Sequence, residues 1–209
     1  MRSLSAAHLT ALDLAPPAFI EAAAEAGFDA VGLRVIQVTP TTPGYPLMKD
    51  PALMRATKAA LAATGLFVHD IEFVKITPEL DPNSLIPMLE AGAEIGARQL
   101  ITAPYDEDLS RLSATLAQLT ALAAERGIGT VLEFFPWTVV PDLATCLRVT
   151  EGTGANLLVD ALHFDRSDSS LELLNGIALD RLPFAHLCDA MRHPPYTTED
   201  LLQTARAER

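Results

Sequence analysis

NLLVDALHF, residues 156–164, is the stretch that decides the fold. It begins as a short apolar run and ends in two polar residues, Asp160 and His163. That pattern suits a buried parallel strand whose tip delivers chemistry to a loop. Two neighbouring stretches repeat it. GTVLEFFP, residues 129–136, puts Glu133 after an apolar run, and FAHLCDA, residues 184–190, puts His186 and Asp189 in another. Three successive strands offering Glu, Asp-x-x-His and His predict a hard-metal site spread over adjacent strand ends.

Working outward, strand-like and helix-like runs alternate along the whole chain. Candidate strands begin near Leu4, Ala30, Leu66, Arg98, Gly129, Asn156 and Phe184, at spacings of 26 to 36 residues. A βα repeat with right-handed crossovers gives a parallel sheet. The intervening helices have readable ends. Asp13 is placed to cap the first, with Pro16 and Pro17 in its opening turn and Gly27 after it. Asp50-Pro51 opens the second and Gly65 closes it. The third lies between Asp81 and Gly96, with Pro87 marking a break or a second start. Leu109, Leu112, Leu116, Leu119 and Leu122 form the apolar stripe of a fourth helix, from Asp108 to Arg126. A fifth opens at Pro141 and stops near Gly152, a sixth runs from Ser169 to Gly176, and the last starts at Thr197 with Asp200 completing a capping box. No linker or low-complexity segment interrupts the pattern, so residues 1–209 read as one domain.

Two architectures use such a repeat. A doubly wound nucleotide binder carries a Gly-rich turn after an early strand. Here the turn after the first strand, His8 to Asp13, holds no glycine, and Gly152-Thr153-Gly154 precedes a strand instead of following one. An eight-fold α/β barrel of the TIM type fits better, because its active site gathers residues from the C-terminal ends of several strands.

Composition bounds the function. With 49% apolar and 20% charged residues, the 209-residue chain reads as an ordinary globular protein. No apolar run reaches the roughly 18 residues of a membrane helix. The N-terminus lacks the apolar core of a secretory signal. Cys146 and Cys188 have no metal-type spacing, and a reduced, cytoplasmic chain is the expectation. A net charge of −12 speaks against a partner with a phosphate backbone, so no nucleic acid is expected as a partner; without a membrane-length apolar run, no membrane is expected either.

The polar residues at strand ends are the functional candidates. His8, His69, His163 and His186 lie in or just beyond predicted strands, and His193 follows the seventh. None falls in a predicted helix. Each one alone also reads as a satisfied core or loop histidine. Glu133 follows Val131-Leu132, where a carboxylate is costly to bury unless paired or metal-bound. The alternative for it is an ion pair with an arginine on a neighbouring strand. Asp160 invites the same argument. His186 alternatively bonds a backbone carbonyl in the core, and Glu72 either faces the pocket or is a solvated strand end. Trp137 and Phe135 read as pocket walls or core.

Glu133 in LEFFP, Asp160 and His163 in VDALHF and His186 in HLCDA together resemble the xylose isomerase-like barrels. That superfamily includes sugar phosphate isomerases and epimerases, inosose dehydratases, hydroxypyruvate isomerases and endonuclease IV. The resemblance covers nearly the whole chain. It implies metal ligation by Glu133, Asp160 and His186, with Mn, Mg, Co or Zn as the divalent ion. It implies that His163 contacts a substrate hydroxyl beside the metal and that Arg192, six residues past the metal histidine, binds substrate. His8, His69, Glu72 and Trp137 would complete the substrate pocket. Val139 stands where the epimerase branch has a further glutamate. The family's fourth ligand is a glutamate on the eighth strand, which at this repeat length falls beyond Arg209. The barrel is therefore expected to lack its eighth strand in this chain. Open strand edges recruit partners, so self-association as a homo-oligomer, or a longer parent chain, is expected.

The activity implied is that of a sugar (phosphate) isomerase or epimerase in carbohydrate metabolism, taking a small sugar or keto-acid substrate. The metal would hold a carbonyl and an adjacent hydroxyl while Glu133 removes a proton beside the carbonyl, giving an enediolate. The alternatives are a lyase or dehydratase of inosose or dehydroshikimate type, a repair nuclease on the same barrel, and a non-catalytic barrel without its last metal ligand.

Overall fold

The computed structural model describes residues 3–188 and 197–207. Its strands are β1 (Ser5–Ala6), β2 (Ala30–Arg34), β3 (Phe67–Ile76), β4 (Gln99–Pro104), β5 (Gly129–Glu133), β6 (Asn156–Asp160) and β7 (Ala185–His186). Its α-helices are α1 (Pro16–Glu25), α2 (Pro51–Thr64), α3 (Ile86–Glu94), α4 (Leu109–Ala124), α5 (Leu143–Thr150), α6 (Ala161–Asp165), α7 (Leu171–Asn175) and α8 (Thr198–Ala207). The strands stand in the sheet in chain order, β1 to β7. The pairs β1–β2, β2–β3, β5–β6 and β6–β7 are parallel. Helical crossovers of one hand produce that order, because each returns the chain beside the strand it left. No helix among the described residues is long and apolar enough to cross a membrane.

The chain forms two compact units that interleave in sequence. The first comprises Met1–Val74, Asp81–Ile101 and Leu122–Gly129. Every residue of β2 is buried, as expected of a parallel strand covered on both faces. Phe19 and Ile20 of α1, Met54 and Ala60 of α2, and Leu89 of α3 are buried with Leu33 and Ile71. Asp50 caps α2, its carboxylate accepting from the backbone N–H groups of Ala52 and Leu53 at 3.0 and 2.9 Å. α3 approaches β3 closely at Gly92, where an added Cβ would sit 2.7 Å from Ile71 Cδ1. The start of α1 differs from expectation. Its N-cap is Ala15, with no side-chain cap, and Asp13 stands two residues too early to reach the free N–H groups of the first turn.

The second unit comprises Lys75–Leu80, Thr102–Ala121 and Thr130–Arg209. Its core joins Leu112 and Leu116 of α4, Leu132 and Phe134, Leu143 and Cys146 of α5, and Leu157 and Val159 of β6. Leu109, expected on that stripe, is 39% exposed because it opens α4. Asp142 caps α5 through Thr145 N at 2.7 Å, whereas in the first unit Pro87 lies in the first turn of α3, after a short 3-10 turn over Pro82–Leu85. Ahead of α8, Thr197 and Asp200 form the reciprocal capping pair, each accepting from the other's backbone N–H at 3.1 Å. Burial pushes the Cys146 thiol far above its ordinary pKa, and its S–H donates to Leu132 O.

Two histidines are helical, contrary to the expectation that none would be. His8 opens a 3-10 turn, His8–Ala11, and His163 lies in α6. The cause at His163 is local: the Asp160 side chain caps the chain into a helix directly at the strand tip.

Candidate functional site

Strand register in the second unit places the polar residues of the opening motifs on one face. Glu133 of β5 pairs with Leu158 of β6, and Asp160, two residues on, shares the face of Leu158. Asp160 in turn pairs with His186 of β7. The alternate residues, Leu132, Leu157 and Val159, enter the core with α4 and α5. Period-two alternation thus sends Glu133, Asp160 and His186 away from that core together.

The side chains converge. His163 Nε2 lies 3.6 Å from Glu133 Oε1, and His186 Nδ1 lies 3.7 Å from the same oxygen. His186 Nδ1 is also 4.0 Å from Asp160 Oδ2. Glu133, Asp160 and His163 are buried, at 5%, 1% and 1% exposure. The two carboxylate oxygens of Asp160 divide their tasks. Oδ1 accepts from the backbone N–H groups of Leu162 at 2.8 Å and His163 at 3.3 Å, which fixes the carboxylate and starts α6. Oδ2 is directed toward His186.

The turn after β5 supplies an aromatic wall. Phe135 N donates to Val140 O at 3.1 Å, and Thr138 Oγ1 bonds Phe135 O at 3.0 Å, closing the turn that carries Trp137. The His163 ring meets Phe135 and Trp137 edge-on, with centroids 4.8 and 5.1 Å apart. Trp137 Nε1 is buried and makes no hydrogen bond among the described residues.

In the first unit the expected residues fall into different settings. His8 is fully buried, its ring stacked on Phe19 and Tyr45 at 4.5 and 5.3 Å. Its Nδ1 accepts from Arg34 N at 2.9 Å and its Nε2 donates to Leu14 O at 2.9 Å. Both ring nitrogens serve the backbone, the core alternative for this residue. Burial, with a smaller contribution from Arg34, holds the His8 pKa below its ordinary value against the opposing bond to Leu14. Burial likewise raises the phenol of Tyr45, with Asp13 adding to it.

Glu72 is not a solvated strand end. It is 5% exposed, and it pairs across the sheet with Arg34, whose Nη2 lies 3.5 Å from Glu72 Oε1. Arg34 is the residue that sequence reasoning passed over. A charged group closing the apolar run AVGLR, residues 30–34, was the signal, and it is the same signal that singled out Glu133. His69 lies at a bulge in β3, where the register with β2 shifts: Val31 pairs with Val68 and Gly32 with Asp70. Its Nδ1 lies 3.3 Å from Asp70 Oδ2. Gly32 makes room for that carboxylate, since a Cβ there would lie 2.5 Å from Asp70 Oδ1.

Not every strand-end carboxylate is available. Asp106, just past β4, accepts from Arg111 through Nε and Nη2 at 2.6 Å each, and these bonds hold its pKa below the usual carboxylate range. Arg192, Asp189 and His193 lie outside the described residues.

The donor set fits a divalent cation. Among the described residues Glu133, Asp160 and His163 offer ligand atoms all within 4.8 Å of one another, and His186 adds a fourth donor. Metal–ligand bonds of about 2.0–2.2 Å put neighbouring donor atoms roughly 3–4 Å apart, and the His163–Glu133, His186–Glu133 and His186–Asp160 distances of 3.6, 3.7 and 4.0 Å fall there. Carboxylate and imidazole without a required thiolate suit Mg, Mn, Co or Zn.

No family model and no curated protein matches the sequence. Solved structures do. A xylose isomerase-like TIM barrel/4-hydroxyphenylpyruvate dioxygenase fusion protein superposes with a TM-score of 0.76 at 17% identity, over 97% of this chain and 33% of that one. The IolI protein with a bound zinc atom gives 0.75 at 17% identity, over 92% of this chain and 75% of that one. D-Allulose 3-epimerase from Methylomonas sp., in complex with D-allulose, gives 0.68 at 15%, over 99% and 79%. The chain thus spans a third of the length of the fusion protein. Its fold is that of the xylose isomerase-like barrels, with seven strands among the described residues.

Proposed function

We propose that this chain, with the fold of the xylose isomerase-like barrels, is a divalent-metal-dependent isomerase or epimerase of a small sugar or keto-polyol. The observation that carries the reading is the convergence of Glu133, Asp160, His163 and His186 at the ends of three register-matched strands. Glu133, Asp160 and His186 would hold the cation, because His186 Nδ1 stands within 4.0 Å of both carboxylates. When bound, the cation would polarise a substrate carbonyl and acidify the adjacent C–H. Two solved structures of the same fold, one carrying zinc and one binding D-allulose, support the reading by analogy of fold.

The chain's own groups then have distinct tasks. Glu133 accepts the proton from the carbon beside the carbonyl and, in an isomerisation, delivers it to the former carbonyl carbon; an epimerisation needs a second acid on the opposite face. His163 presents Nε2 beside Glu133 Oε1 and holds the neighbouring substrate hydroxyl. Phe135 and Trp137 fix the His163 ring from two sides and exclude water. Trp137 Nε1, buried with an unused N–H, donates to a second hydroxyl. Arg192 grips an anionic or hydroxyl-rich end of the substrate. A net charge of −12 disfavours a nucleic-acid substrate.

Heavy water tests the reaction class. The protein is loaded in turn with Mn, Mg, Co and Zn and offered keto-sugars, inososes and keto-acids, and the products are read by NMR. Metal-dependent turnover with deuterium at the carbon next to the carbonyl is expected. Turnover without deuterium there would point instead to a shielded proton transfer, a hydride shift or hydrolysis. Turnover independent of metal would remove the cation from the scheme.

A further inference from the structure

Cys188 lies beside the donor cluster, against Asp160, although no spacing motif points to it. It stands two residues past His186, and Leu187 between them is turned to solvent at 84% exposure. His186 and Cys188 therefore face the same way. The Sγ atom lies 3.4 Å from Asp160 Oδ1 and 3.8 Å from Asp160 Oδ2. The second distance compares with the 4.0 Å that separates His186 Nδ1 from the same Oδ2. A thiolate bonds zinc at about 2.3 Å, and with oxygen at about 2.0–2.2 Å the two donors on one tetrahedral ion stand roughly 3.5 Å apart. Closing to that separation requires a shift of a few tenths of an ångström, within the reach of one χ1 adjustment at a half-buried side chain.

We infer that Cys188 is a ligand of the cation, completing a Glu133–Asp160–His186–Cys188 set. The inference rests on the metal-site reading above. The S–H donates toward Asp160 in the structure. On metal binding the thiol proton passes to solvent and the sulfur–metal bond forms, with no change of oxidation state. A thiolate among the ligands makes the site soft. It selects Zn, Co or Cd over Mg and Mn, and it leaves the metal-free protein open to alkylation and oxidation at this one position. The other cysteine serves as an internal control. Cys146 is fully buried and its thiol is held protonated by that burial, so reagents that attack thiolate report Cys188 alone.

The test uses the full chain stripped of metal by chelation and titrated with Co and Zn, with Cys188→Ser as the isosteric control. Bound Co should show a near-ultraviolet sulfur-to-cobalt charge-transfer band, absent in Cys188→Ser. Stoichiometric Zn should slow iodoacetamide labelling of Cys188, read by peptide mass spectrometry, at least about tenfold, and equal Mg should not. Zn affinity should fall at least about tenfold in Cys188→Ser, the lower end of what loss of even an outer-shell partner costs. Should the variant fold poorly, wild-type protection from labelling decides. Metal binding without the band or the protection overturns the thiolate ligand and leaves the Glu133, Asp160 and His186 site standing. No binding of any metal overturns both.

Discussion

Asp160 carries two tasks on separate oxygens, and two substitutions take them apart. Asp160→Ala removes the cap on α6 and the anionic oxygen facing His186. Asp160→Asn keeps a carbonyl oxygen for Leu162 N and His163 N and loses only the charge. Loss of a cap costs about 1 kcal/mol. In a chain of this size about 1 kcal/mol lowers Tm by roughly 2–4 °C. A metal present at a hundred times its Kd stabilises by about 2.7 kcal/mol, which on the same scale raises Tm by roughly 5–11 °C. Scanning calorimetry on wild type and both variants, with and without Zn, should therefore show three patterns. Without metal, Asp160→Asn melts close to wild type and Asp160→Ala melts roughly 2–4 °C lower. With Zn, only wild type gains the full rise. Asp160→Ala gaining that full rise would remove Asp160 from the ligand set. An Asp160→Asn as unstable as Asp160→Ala without metal would refute the division of tasks.

Glu133→Gln keeps the shape of the side chain and removes the base, so turnover of a working substrate should fall by about 10²–10⁴-fold while the fold persists by circular dichroism. Gly92→Ala should destabilise by about 1–3 kcal/mol, since its Cβ meets Ile71 Cδ1 at 2.7 Å; adding Ile71→Val removes that methyl and should recover part of the loss in urea titrations, whereas simply additive losses would refute the contact. His8 makes stability depend on pH. Its folded pKa is depressed by burial, so the stability of the neutral, doubly bonded ring is complete above about pH 6.5 and is lost as pH falls. The slope contributed is at most about 1.4 kcal/mol per pH unit, and His8→Gln should flatten the fall in urea midpoint between about pH 6.5 and more acidic buffers.

Much of the architecture was legible because period and punctuation are local. The turn glycines, the Asp50 cap and the Thr197–Asp200 pair each act within a few residues. The apolar run before Glu133 and Asp160 signalled their burial, since a carboxylate placed there needs partners. What sequence left open was decided by register and packing between distant segments. Whether Glu72 met solvent or a partner depended on Arg34 lying opposite it in β2, a pairing fixed by a bulge at His69 that no local pattern announces. His8 looked like a strand-end substrate contact or a core histidine, and Phe19, Leu14, Arg34 and Tyr45 enclose it. Cys188 was set aside for lack of a spacing motif, because Asp160, which its Sγ meets, is 28 residues away in sequence.

Anomalous diffraction from crystals of this chain grown with Zn tests the central claim most directly. One anomalous peak is expected at about 2.0–2.2 Å from Glu133, Asp160 and His186 side-chain atoms, lost from crystals of His186→Ala. A peak held elsewhere on the chain, or none at a Zn concentration that saturates binding in solution, would contradict the account.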